Sequence, residues 1–155
     1  MKKDASQSST RNLKEGVPGV WQLKSRIDLD SSGQRHIDPI LGADPLGILC
    51  FSGNHFAAQF MKRDRTETAP IPQATAGANN SNAINGYDAY FGTYSLDEST
   101  GALIVRLEGA ISPDDIGGEF ERNIDVHDDE LRITLATTSV DGVPVTRTLT
   151  FTRLK

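Results

Sequence analysis

Apolar and polar positions alternate with a period of two through most of the chain, in runs of roughly eight to eleven residues separated by short polar turns. The stretch Val20–Asp30 sets Trp21, Leu23, Ser25, Ile27 and Leu29 on one face and Gln22, Lys24, Arg26, Asp28 and Asp30 on the other. That pattern predicts a half-buried strand. Two apolar runs, Leu46–Phe51 and Phe56–Met61, are joined by Ser52-Gly53-Asn54-His55, the chemistry of a tight hairpin because Gly and Asn tolerate positive φ. Both faces of the second run are apolar enough to be buried, so its inward face stays open, and with it the position of Gln59. Four further strands are predicted. Tyr87–Leu96 puts Tyr90 and Tyr94 on one face with Gly92 between them, expected to leave room there. Leu103, Val105 and Leu107 are in phase, as are Phe120, Arg122, Ile124 and Val126, and then Leu131, Ile133 and Leu135. Asp141-Gly142 makes a last turn. The final strand then opposes Val145, Arg147, Leu149, Phe151 and Arg153 to four threonines.

No stretch carries a helical period long enough to cover a sheet. Closing the sheet on itself is then the economical way to remove its edges. The expected architecture is all-β: an eight-stranded antiparallel up-and-down β-barrel, nine-stranded if Gln34–Ile37 forms a short edge strand. Residues 1–15, polar through Arg11, are expected to form a disordered tail before a single barrel domain over 16–155, with a short helical turn within Asn12–Pro18 leading into the first strand. Asp64–Gly86 lacks periodicity over more than 20 residues, which marks either a surface insertion or a lid over one barrel end.

Composition narrows the function by exclusion. A formal net charge of −5, with nine acidic residues and one Arg between Glu108 and Glu130, leaves no basic face for phosphates, so nucleic acid is not an expected partner. No run approaches the ~20 apolar residues of a membrane-spanning helix. Polar residues follow Lys2 and Lys3 where a signal peptide needs an apolar core. A lone cysteine, Cys50, rules out an internal disulfide and suits a reducing compartment. It is expected to be buried and inert. The expectation is a cytoplasmic protein, monomeric or homodimeric. His36, His55 and His127 fall in turns without ligand spacing, so no metal is expected, and no motif calls for a cofactor.

The segments GVWQL (19–23), DPLGILCF (44–51), AAQFM (57–61), YDAYFGTY (87–94) and EGAISPDDIG (108–117) occur in the order and spacing of a known family. Over residues 17 to 154 the chain resembles the bacterial and fungal lipocalin-like domain family of the calycin group. The resemblance implies a barrel closed at one end by a first-strand Trp, here Trp21, under a late-strand Arg, with Arg153 the first choice and Arg147 the second. It also implies a small hydrophobic ligand. Many relatives carry a His pair where this chain has Val105 and Arg106, and an aromatic where it has Asp115, so chemistry built on those groups is absent here.

Two functions follow from these expectations. The first is a barrel that binds a small hydrophobic molecule, polyketide-, terpenoid- or lipid-like, in its cavity. The second is a cofactor-independent cyclase or isomerase acting on such a molecule in a natural-product pathway. By phase, the expected ligand-binding residues are Phe56, Gln59, Phe60, Tyr90, Tyr94, Leu107, Phe120 and Arg122. The candidates for catalysis are Tyr94, Tyr90 and Arg122. Each has a plainer role open to it: a tyrosine hydroxyl satisfied within the core, or an internal salt bridge for Arg122.

Overall fold

The computed structural model describes residues 12–65 and 85–155. A helical turn, α1 (Leu13–Gly16), leads into β1 (Gly19–Leu29) and the two-residue β2 (Arg35–His36). The chain continues through β3 (Leu46–Ser52), β4 (His55–Met61), β5 (Tyr87–Asp97) and β6 (Ala102–Ala110). A single 3₁₀ turn at Pro113–Asp115 precedes β7 (Glu119–His127), β8 (Glu130–Thr138) and β9 (Pro144–Leu154). Each strand from β3 to β9 pairs antiparallel with the next, and β1 pairs with both β3 and β9. Eight strands therefore close into an up-and-down barrel. The short β2 extends the sheet beside the far half of β1, where Asp28 opposes His36.

The β3–β4 hairpin turns in two residues, and of these only Gly53 takes positive φ, the type II′ pattern that matches strand twist. This settles β4: Phe56, Ala58 and Phe60 face inward, while Gln59 faces solvent and accepts a hydrogen bond from the Tyr87 hydroxyl at 3.1 Å. The hairpins after β3, β5 and β7 lie at one end of the barrel together with α1. The connections after β1, β4, β6 and β8 lie at the other. Residues 66–84 of the β4–β5 connection, where either a lid or a surface insertion was expected, lie outside the described residues. Leu13, in the turn expected within Asn12–Pro18, is fully buried together with Val17. Cys50 is half-buried rather than buried.

The largest departure from the sequence pattern lies in β1. Leu23 pairs with Phe151 and Ser25 with Thr150, so β1 carries one residue more than β9 at this point, a β-bulge. Beyond it the phase inverts. Arg26 and Asp28, predicted to face solvent, are buried inside the barrel, whereas Leu29, predicted to face inward, is exposed. A second irregularity lies between Phe91 and Gly92, which pair with Gly109 and Leu107. A Cβ on Gly92 would stand 1.9 Å from the Arg106 carbonyl oxygen. Gly92 is therefore required by the approach of β6 backbone, and the space expected for a ligand between Tyr90 and Tyr94 is not there.

Candidate functional site

One barrel end is sealed. Trp21 is fully buried and donates its indole N–H to the Val17 carbonyl at 2.9 Å. The Arg153 guanidinium lies 4.2 Å from the centre of the Trp21 ring and donates to the carbonyls of Gly16 (2.6 Å) and Pro18 (3.0 Å). A cation over an indole face, with two of its donors satisfied by backbone, ties α1 across the barrel mouth. Arg147 takes no part in this seal.

Instead Arg147 opposes Asp28 across β1 and β9 and grips it with two donors, Nε to Oδ1 at 2.9 Å and Nη2 to Oδ2 at 3.0 Å. One inward position back along β1, Arg26 pairs with Asp38 at 3.2 Å. Asp38 also accepts the Ile40 amide at 2.7 Å, an Asx-type contact, and Ile40 and Leu41 on the same loop are buried. Two buried ion pairs and this tucked loop thus cover much of the barrel end away from Trp21. Burial and nearby Arg147 pull the Arg26 pKa down, while Asp28 and Asp38 oppose that.

Below this charged layer lies a cavity of about 60 Å³, lined mainly by Leu49, Phe51, Phe56, Phe60, Val105, Ile133, Leu149 and Phe151. Five polar side chains also face it: Arg26, Asp88, Tyr90, Arg122 and Arg147. The volume suits a few water molecules; pockets for drug-sized ligands run to about 300–1,000 Å³. Above the layer, a wider bowl of about 600 Å³ is bounded by Asp28, Arg35, His36, Asp38, Ser139, Asp141 and Arg147. Arg147 borders both spaces; Arg26 faces the cavity, and the two carboxylates, Asp28 and Asp38, face the bowl.

Of the residues expected to line a ligand site, Phe56, Phe60, Tyr90 and Arg122 border the cavity. The other four do not. Gln59 points outward, and Leu107 is buried in the core. Phe120 is half-buried with the Arg122 guanidinium 5.3 Å from its ring. Tyr94 packs edge-on against Phe51 at 4.8 Å between centroids, and burial pushes its hydroxyl pKa up. Tyr90 instead meets both Phe56 (6.0 Å) and Phe60 (6.2 Å). Gly47 makes room for this aromatic group, since a Cβ there would stand 2.8 Å from the Phe60 ring.

The site residues that sequence reasoning missed are Arg26, Asp28, Asp38 and Asp88. Asp88 was within reach, because it shares the inward face of β5 with Tyr90 two positions away. It is 8% exposed, and its pKa rises to about 7. Burial is the main cause and repulsion from Asp115 the second; a hydrogen bond from the Ala89 backbone and, less strongly, the charge of Arg26 oppose the rise.

A closed eight-stranded barrel with a Trp–Arg seal at one end and polar groups in its interior is a protein of the lipocalin-like class. A family model for the lipocalin-like domain matches residues 18–153, and the chain belongs to that family. No curated protein matches it. Among the described residues, no helix is long and apolar enough to cross a membrane.

Proposed function

We propose that the barrel binds a small, largely apolar molecule that carries at least one oxygen function, of polyketide, terpenoid or lipid character. The observation behind this reading is the placing of Asp88, Tyr90 and Arg122 on the wall of an otherwise aromatic and aliphatic cavity. A few polar groups placed on an otherwise apolar wall fix the orientation of a ligand and select for its oxygen function. The cavity is small as it stands, so the ligand enters by displacing side chains of the charged partition or the Phe56–Phe60–Tyr90 group. The single cysteine supports a reducing, cytoplasmic setting.

Native mass spectrometry of protein purified from its own host tests the reading. A retained mass of a few hundred daltons, released by organic solvent, is the expected result. Protein at its bare sequence mass that also fails to enhance the fluorescence of 1-anilinonaphthalene-8-sulfonate would defeat it. A second reading, a cofactor-free cyclase or isomerase, is favoured by one feature: several polar groups face the same cavity, whereas a simple binder of hydrophobic molecules needs few.

A further inference from the structure

Asp88 is the interior group that the barrel's own architecture does least to explain. The residue is 8% exposed and lies on the cavity wall, opposite Phe60 in the β4–β5 register. Asp28 and Asp38 each hold an arginine, but among the described residues no cation lies within ion-pair distance of Asp88. As a structural carboxylate it is badly placed, since an unpaired buried charge destabilises the fold. As a proton carrier beside an apolar ligand it is well placed.

We propose that Asp88 is the general base and acid of the cavity, moving a proton between carbons of an enolisable carbonyl compound whose oxygen lies against Tyr90 and Arg122. The Asp88 carboxylate takes a proton from the carbon next to the carbonyl. The electron pair of that C–H bond moves into the carbon–carbon bond as the carbonyl π pair moves to oxygen. Tyr90 and Arg122 stabilise the resulting enolate. The carboxylic acid then returns its proton to the same carbon, or to the far end of a conjugated system, as the carbonyl re-forms. The second outcome shifts a double bond, and no oxidant, reductant or metal is consumed. This proposal rests on the binding reading above and names its substrate class.

The surroundings of Asp88 suit the task. The Ala89 backbone hydrogen bond and Arg26 from β1 favour the carboxylate, burial together with Asp115 from the 3₁₀ turn and Asp38 from the β2–β3 loop oppose it, and its β4 neighbour Phe60 is uncharged. The group is thus balanced near neutral pH, where a base and its conjugate acid are both populated.

The test uses 2-tetralone, an apolar ketone with acidic protons at C1, in D₂O with the full-length protein. Saturation-transfer NMR reports whether the ketone binds, and loss of its C1 proton signal reports enolisation. The expected result is binding, with exchange about 10²-fold faster than the same concentration of acetate at equal pH. The rate should rise with pH through a midpoint of about 7. Asp88→Asn should still bind the ketone and fold, yet exchange within a few-fold of the acetate rate. Binding without acceleration overturns the proton-transfer proposal and leaves the binding reading standing. Absence of saturation transfer overturns both. Should Asp88→Asn fail to fold, the wild-type profile decides: a midpoint near 4, that of an ordinary carboxyl group, overturns the assignment to Asp88.

Discussion

Asp28 and Arg147 stand directly opposite one another on β1 and β9, held by two hydrogen bonds of 2.9 and 3.0 Å, each residue almost wholly buried. The pair exists only because the bulge at Lys24–Ser25 turns Asp28 inward. It closes the seam of the barrel with a charge contact, next to the inward Arg26–Leu149 pair. Removing one partner leaves the other buried and uncompensated. Asp28→Asn or Arg147→Met alone is therefore expected to cost about 3–5 kcal/mol in urea unfolding. The double variant Asp28→Leu/Arg147→Met should recover most of that loss. Single variants costing under about 1 kcal/mol would mean that water already satisfies the pair.

The seal at Trp21 gives a second prediction. Arg153→Ala removes the cation over the indole and two donors to backbone carbonyls. A loss of about 1–3 kcal/mol is expected, with a red shift in the emission of Trp21, the chain's one tryptophan. Arg153→Lys should not restore either quantity, because an ammonium lacks the planar fork that reaches both carbonyls. Full rescue by lysine would reduce the contact to simple charge.

Asp88 links stability to pH. Its folded-state pKa of about 7 lies above its ordinary value, so the folded protein holds a proton that the unfolded chain has already released. Stability should therefore fall as pH rises from about 4 to about 7, by at most roughly 1.4 kcal/mol per unit from this group. Asp88→Asn should remove that decline and stabilise the protein at pH 8 relative to wild type. Parallel unfolding curves for the two proteins at pH 5 and pH 8 are the measurement. An unchanged difference between them would show that Asp88 titrates normally.

The two inward tyrosines of β5 should behave differently. Tyr90 borders the cavity and Tyr94 packs on Phe51. Tyr90→Phe is expected to weaken ligand binding by about 0.5–1.5 kcal/mol, the net worth of one hydrogen bond. Tyr94→Phe should leave affinity unchanged. Equal effects in a titration against 1-anilinonaphthalene-8-sulfonate would show that the cavity extends further toward the sealed end.

Gly92 tests the β5–β6 irregularity. A Cβ there would collide with main chain rather than with a movable side-chain end. Gly92→Ala should consequently destabilise by several kcal/mol, within the range for overpacking at a rigid site. A cost below 1 kcal/mol in thermal unfolding would show that β6 can shift.

Much of this molecule follows from local pattern alone. Period-two alternation marked the eight barrel strands, Ser52–His55 and Asp141-Gly142 marked their turns, and the lack of any covering helix called for closure. The inward faces of β7, β8 and β9 were legible because nothing interrupts their phase. Trp21 and Arg153 could be matched from resemblance, and the contact between them is a matter of where two strand ends meet. The charged half of the interior was not legible in the same way. Alternation along β1 continues without a break through Lys24 and Ser25, and only pairing with β9 decides that one residue is extra there. That single insertion exchanges the faces of Arg26, Asp28 and Leu29 and so builds the ion-paired partition. Asp88 could be phased with Tyr90 from sequence, but its raised pKa comes from burial and from charges on the β2–β3 loop and the 3₁₀ turn, groups distant in sequence. Side-chain period is a property of one strand, whereas register and electrostatic environment belong to the closed barrel, and these the tertiary structure alone decided.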